Sequence, residues 1–112
     1  MTDTTPARAL QRMLIRVEYD GTGLVGWQRQ DNGLSVQAIL EQAAEKLTTQ
    51  PTPVQGSGRT DAGVHATGQA AHLDVPTQLT ATDVMRGLNA LLETHQVSVV
   101  SAQPVADAFN AR

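Results

Sequence analysis

The chain has 112 residues, with 8 Lys or Arg against 11 Asp or Glu, 40% hydrophobic residues and no cysteine. This length accommodates one domain of ordinary size and excludes two full ones. Without cysteine the chain can form no disulfide, zinc ribbon or thiol nucleophile. No apolar run reaches the roughly 18 residues that a membrane span needs, and the first residues lack the order of a secretion signal. We therefore expect a cytoplasmic protein.

The first half of the chain predicts a strand followed by a helix. Apolar and polar residues alternate over residues 13–19, which is the period of a strand with one buried face. Residues 1–12 precede this strand and are predicted to form a flexible tail. After a turn-rich stretch, apolar residues fall on one helical face between an N-cap at Ser35 and a terminator at Pro51.

The second half predicts two strands, a helix and a last strand. Residues 52–57 and 68–75 have the composition of short strands around a glycine-rich segment. Thr80 and Asp83 have the spacing of a capping box at the start of a second helix. Residues 97–99 alternate as a strand. The order of these elements predicts an α+β, ferredoxin-like βαββαβ domain, in which an antiparallel sheet carries two helices on one face.

A glycine pattern follows the first predicted strand. Residues 21–26 match G-x-G-x-x-G, so a dinucleotide-binding turn is one interpretation. The last glycine, however, precedes a polar stretch rather than a helix whose amides could hold a pyrophosphate. We favour a flexible loop that carries Trp27, Gln28 and Arg29 to the surface. The competing function is a small non-catalytic domain that binds a nucleotide or a peptide through residues 21–26.

Two further interpretations fail on spacing. Ser57, Asp61 and His65 crowd one segment and suggest a hydrolase, but G-x-S-x-G is absent because Gln55 and Arg59 occupy the flanking positions. The three histidines of the chain show no metal-ligand spacing, so no metal site is expected.

Several features that bear on chemistry coincide in the segment 56–66. Its three glycines permit positive φ angles and close approach by another chain. In an extended backbone, Arg59 and Asp61 project to the same face. The guanidinium then favours the ionised form of the carboxyl group, which makes Asp61 a candidate nucleophile or base. The alternative is a turn in which Asp61 is merely salt-bridged to Arg59.

The same segment resembles a known family. GRTDAGVHA at residues 58–66 is similar to the signature of the tRNA pseudouridine synthase A family. Further blocks that resemble the family, in the family's order, lie at residues 19–22, 26–30, 36–41, 68–74 and 86–92. The resemblance covers residues 13–112, which we expect to form the ferredoxin-like domain.

The resemblance implies an enzyme that isomerises uridine to pseudouridine in the anticodon stem-loop of tRNA, with Asp61 as nucleophile and without a metal or an organic cofactor. It also implies that Arg59 pairs with Asp61 and supports the flipped nucleotide. The other predicted substrate contacts are Thr60, Gly63, His65, Trp27, Gln28 and Arg29. The sequence leaves open whether the carboxylate attacks the base or the sugar.

Two differences from the family bear on whether this chain is catalytically active by itself. The family's chains are longer, so we expect an N-terminal domain that needs a C-terminal domain and, in the full-length protein, a homodimer. This would account for the net charge of -3, which is unusual for a domain that binds nucleic acid alone. In addition, Asn110 stands where the family commonly has His.

Overall fold

The computed structural model describes residues 9–30, 33–58, 63, 66–92 and 96–111. Within these residues, four strands form one antiparallel sheet in the order β2-β3-β1-β4, accompanied by two helices. This is the predicted ferredoxin-like α+β arrangement, which is thereby confirmed. Neither described helix is long and apolar enough to cross a membrane. In chain order the elements are β1 (Leu10–Tyr19), α1 (Val36–Thr48), β2 (Gln55–Gly56), β3 (Ala66–Pro76), α2 (Ala81–Leu92) and β4 (Val97–Val105).

The hydrophobic core lies between one face of the sheet and the two helices. In β1, Met13, Ile15 and Val17 are fully buried, whereas the alternate residues Arg16 and Glu18 are exposed. Successive side chains of a strand point to opposite faces, so this alternation decides which face the helices cover. The other face is covered by neither helix and is here called the open face; Leu14 and His72 on it are nevertheless buried.

The cap of α1 is buried. The side chain of Ser35 accepts a hydrogen bond from the amide of Ala38 at 3.1 Å, as the sequence predicts. The helix ends at Thr48, because Thr49 adopts a left-handed conformation with φ of 60° and its amide bonds to the Glu45 carbonyl. The helix therefore ends before Pro51, the residue predicted to terminate it.

The cap of α2 is exposed and reciprocal. The Thr80 hydroxyl accepts from the Asp83 amide at 3.0 Å, and the Asp83 carboxylate accepts from the Thr80 amide at 2.9 Å. The predicted capping box is thus confirmed. The bond from the Thr80 amide lowers the pKa of Asp83, since it favours the ionised carboxylate.

The first strand begins earlier than predicted. β1 starts at Leu10, so residues 10–12 belong to the sheet and the predicted tail was drawn too long. The Arg12 guanidinium bonds to the Asp74 carboxylate at 2.9 Å, and the Gln11 amide group donates to the Leu79 carbonyl at 2.6 Å. These side-chain anchors hold a segment whose own alternation is weak.

The other strand boundaries also differ from the predictions. β2 contains only two of the residues predicted for it, whereas β3 extends by a residue or two at each end. β4 continues past the predicted 97–99 to Val105, because its pairing with β1 resumes after a bulge at Val100, opposite Arg16 and Val17. A bulge shifts the alternation of side chains between the two faces, so the part of β4 beyond it cannot be recognised from a period-two pattern in the sequence.

The segment after β4 contacts the open face of the sheet. The Arg12 guanidinium donates to the Phe109 carbonyl, and the Phe109 ring lies edge-on to the His72 ring. Burial, followed by the nearby Arg12, lowers the pKa of His72. The neutral ring can therefore accept the hydrogen bond that the Ala111 amide donates to Nδ1 at 3.1 Å. Asn110, the departure from the family pattern, lies between these two anchored residues.

Candidate active site

Gly63 is the described residue at the centre of the predicted site segment. Its φ of 78° lies in the left-handed region that favours glycine, and its amide donates to the Leu24 carbonyl at 3.2 Å. Gly63 is therefore in a turn conformation and is tied to the loop after β1. Four predicted site residues lie outside the described part of the chain, namely Arg59, Thr60, Asp61 and His65.

The residues that flank the segment 59–65 bond to the sheet. On the entry side, the Ser57 amide donates to the Ala70 carbonyl at 2.8 Å, and the Gln69 side chain donates to the Gly58 carbonyl at 2.7 Å. On the exit side, Ala66 begins β3 and pairs with Tyr19 of β1. The points at which the chain enters and leaves this segment are therefore set by the sheet.

Trp27 is buried rather than carried to the surface. Its side chain is 3% exposed, and its indole covers Gly56 so closely that a Cβ on Gly56 would overlap the ring. The Tyr19 ring lies 6.3 Å away, centroid to centroid. The prediction of a flexible loop that exposes Trp27 is therefore wrong, because the indole fills the space above a glycine of β2. A contact between Trp27 and substrate stays a prediction.

Gln28 and Arg29 are exposed, as the sequence predicts. The Arg29 guanidinium bonds to a carboxylate oxygen of Glu41 at 2.8 Å, and the Arg29 amide donates to the Gln37 side chain at 2.9 Å. Both partners belong to α1, so the helix fixes where this arginine lies. Neither Gln37 nor Glu41 is among the predicted site residues, although both fall within a block that resembles the family.

Two depressions lie against the two ends of the segment 59–65. One is a cavity of about 310 Å³ that reaches the entry residue Gly58, and the other is a shallower groove of about 400 Å³ that reaches the exit residue Ala66. The cavity is lined by Trp27, Gln28, Gln37, Gln55, Gly56, Ser57 and Gly58. The groove is lined by Glu18, Tyr19, Asp20, Ala66, Thr67, Gln96 and Ser98. Each of the two residues that flank the segment 59–65 therefore borders a depression.

The geometry argues against the dinucleotide interpretation of residues 21–26. No helix opens at Gly26, and α1 begins only at Val36. The amides of Val36 and Gln37, which a pyrophosphate would need, donate instead to the carbonyls of Gly26 and Trp27 at 3.1 and 2.9 Å. Within the described ranges, no group of three or more potential metal ligands comes together either.

Comparison with known proteins identifies the family. A family model described as tRNA pseudouridine synthase matches residues 15–112. The chain belongs to this family. Relatives called tRNA pseudouridine synthase A occur in Rhodospirillum rubrum, 54% identical over 101 residues, and in Paramagnetospirillum magneticum, 52% identical over 103 residues. These matches cover 90% and 92% of this chain but 36% and 40% of the relatives, so this member of the synthase family spans less than half of their length.

Proposed function

We propose that this chain carries the nucleophile of a tRNA pseudouridine synthase and that Asp61 is that nucleophile. The observation that carries the proposal is the family match over residues 15–112, which contains the whole GRTDAGVHA segment. The described geometry supports it, because the chain on both sides of Asp61 is anchored in the sheet and each end of the segment borders a depression.

The reaction needs a carboxylate and no redox partner. The bond between uracil N1 and ribose C1′ breaks, the base turns, and a bond forms between C5 and C1′, while the proton lost from C5 is balanced by one gained at N1. An Asp is ionised at neutral pH and can form the covalent intermediate. Its attack on the base and its attack on the sugar are both consistent with this scheme. The uridine must leave its stack to reach the carboxylate.

The remaining predicted contacts divide into roles. We propose that Arg59 pairs with Asp61 and braces the flipped nucleotide, since a guanidinium offers a planar fork of donors. Thr60, His65 and Gln28 would supply further polar contacts to the RNA. Gly63 would hold the turn, because its φ of 78° strains any residue with a side chain.

The proposed substrate is tRNA, and the proposed target is a uridine of the anticodon stem-loop. The relatives that share the chain's sequence are named for tRNA and are much longer than this chain. We therefore propose that catalysis needs a C-terminal part like theirs and that the complete enzyme is a homodimer, in the cytoplasm, where tRNA is used. A net charge of -3 fits a domain that shares RNA binding with other parts.

The test uses this chain joined to the part of the Rhodospirillum rubrum relative that follows the aligned region, here termed the fused synthase. Tritium release from tRNA labelled at C5 of uridine measures turnover. We expect turnover by the fused synthase and none by residues 1–112 alone. Asp61→Asn should abolish turnover and leave tRNA affinity nearly unchanged, because the amide keeps the shape of the carboxylate and loses its nucleophilicity.

The matched control is Asp107→Asn, which removes the same charge from an exposed aspartate after β4. It should retain turnover. Turnover by Asp61→Asn at the level of this control would refute the proposed nucleophile. Turnover by residues 1–112 alone would refute the need for a C-terminal part. Arg59→Lys should lower turnover as well, and activity equal to that of the unsubstituted protein would contradict the proposed brace.

A further inference from the structure

Two side chains of α1 join the same two segments of the chain. Gln37 accepts a hydrogen bond from the Arg29 amide at 2.9 Å and donates one to the Val54 carbonyl at 3.1 Å. One turn further along the helix, Glu41 accepts from the Arg29 guanidinium at 2.8 Å and from the Val54 amide at 3.0 Å. Residues four apart lie on one helical face, so the two side chains form a double bracket between Arg29 and Val54.

The bracket takes the place of a strand ladder at Val54. Both backbone polar groups of this buried residue are satisfied by α1 side chains, and pairing with β3 starts only at Gln55. A buried backbone group left without a partner is costly, so these bonds decide where the chain enters β2. From β2 the chain passes through Gly58 into the segment that contains Asp61.

The other end of the bracket holds a cation at the surface. The Arg29 side chain is 55% exposed, whereas that of Glu41 is 15% exposed. Within the described part of the chain, the Arg29 guanidinium bonds to Glu41 through Nη2 alone. A guanidinium has five N–H donors in a fixed plane, so the remaining edge can take a phosphate.

We propose that Gln37 and Glu41 are positioning residues that couple a phosphate-binding guanidinium, Arg29, to the strand that leads into the nucleophile segment. The ligand of Arg29 is a phosphodiester of the RNA substrate. The inference rests on the proposed function and deepens it. RNA bound at Arg29 is thereby held at a fixed distance from β2, and displacement of a reacting group by about 1 Å can lower a rate by about a hundredfold.

The test separates the two ends of the bracket by kinetics of the fused synthase. Arg29→Ala should raise KM for tRNA about tenfold, lower the salt dependence of binding by about one counterion and leave kcat within about twofold. Glu41→Gln should resemble Arg29→Ala, because the amide oxygen can still accept from the Val54 amide but the charge that orients the guanidinium is gone.

Removal of the bracket should add a second effect. Glu41→Ala leaves the Val54 amide unpaired, so kcat should fall about tenfold in addition to the rise in KM. Gln37→Ala should lower kcat by a similar factor with a smaller change in KM, since the Arg29 guanidinium keeps its Glu41 partner. The higher kcat of Glu41→Gln relative to Glu41→Ala is the conservative rescue that a positioning role requires.

The matched control is Glu45→Gln, which makes the same change one turn later on α1 at an exposed residue. It should leave KM and kcat unchanged. In an Arg29→Ala background, Glu41→Gln should cause no further rise in KM. The proposal is overturned if Glu41→Ala leaves both KM and kcat unchanged, or if the effects of Arg29→Ala and Glu41→Gln on KM are additive.

The two proposals can fail separately. A fused synthase that binds tRNA without turnover refutes the proposed function. The tRNA affinity of the variants then tests the proposed coupling between Arg29 and β2. Non-additive losses of affinity in Arg29→Ala and Glu41→Gln support it, and additive losses overturn it. Absence of tRNA binding by the unsubstituted protein overturns the coupling outright.

Discussion

The two edges of the sheet are held in different ways. At the β4 edge, nine residues form the strand, and its ladder with β1 runs from Val97 to Val105. At the β2 edge, the described ladder with β3 consists of Gln55 and Gly56, the Ser57 amide adds one bond to the Ala70 carbonyl, and side chains of α1 hold the preceding residue, Val54. Each edge also bonds to a side-chain carboxamide of a helix. Gln37 of α1 bonds to Val54 at the β2 edge, and Asn89 of α2 exchanges two hydrogen bonds with Val99 at the β4 edge.

This difference in how the two edges are held affects how each edge is linked to the candidate site. A long ladder distributes its stabilisation over many backbone bonds, so single side chains matter less to its position. A two-residue strand depends on the side chains around it, and a change in any of them moves the chain that follows. We therefore expect substitutions at the β2 edge to alter both stability and turnover, and substitutions at the β4 edge to alter stability alone.

The largest expected effect is that of Trp27→Ala. The indole is 3% exposed and packs between Gly56 and the Tyr19 ring, so its removal leaves a cavity at the β2 edge. We expect a loss of about 3–5 kcal/mol in the free energy of unfolding, measured with urea on the 112-residue chain. Trp27→Phe should lose less, since a ring still covers Gly56. Equal stability of the alanine variant and the parent would contradict the packing role.

The same edge shows what the sequence could and could not predict. The element order and both helix caps were predictable, because alternation, helical spacing and cap residues are local signals. The length of β2 was not, since the partners of Val54 are side chains of Gln37 and Glu41 far along the chain. The burial of Trp27 likewise depends on Gly56 across the fold. The sequence motif pointed to Asp61, but no local pattern indicated that Gln37 and Glu41 hold the chain before β2.

A smaller effect is expected from Gly56→Ala. A Cβ at this position would overlap the Trp27 indole, and overpacking of this kind costs about 1–3 kcal/mol. The new methyl group should also displace β2 and lower turnover of the fused synthase. The matched control is Gly68→Ala in β3, where a Cβ meets nothing within 4 Å, and this variant should keep both stability and turnover. If the two variants unfold at the same urea concentration, the close approach at Gly56 has no energetic weight.

Asn89→Ala probes the opposite edge. The carboxamide accepts from the Val99 amide at 2.8 Å and donates to the Val99 carbonyl at 2.9 Å, so its loss unpairs two half-buried backbone groups. We expect a loss of about 1–2 kcal/mol in the free energy of unfolding. Turnover of the fused synthase at a temperature well below its unfolding midpoint should not change. A fall in kcat comparable to that of Gln37→Ala would show that the two edges do not differ in their link to the site.

Asp83→Asn has the smallest expected effect and a distinctive pH dependence. The cap of α2 belongs to the helix that contacts β4, and its bonds lower the pKa of Asp83 in the folded chain. The ionised carboxylate thus stabilises the fold above the ordinary Asp pKa of about 3.9, and this contribution is lost as the pH falls through the lowered value. The unfolding midpoint of Asp83→Asn should lie below that of the parent at pH 6 and should approach it as the pH falls below about 4. A difference between the two midpoints that does not vary with pH would assign the effect to helix propensity instead of the charged cap.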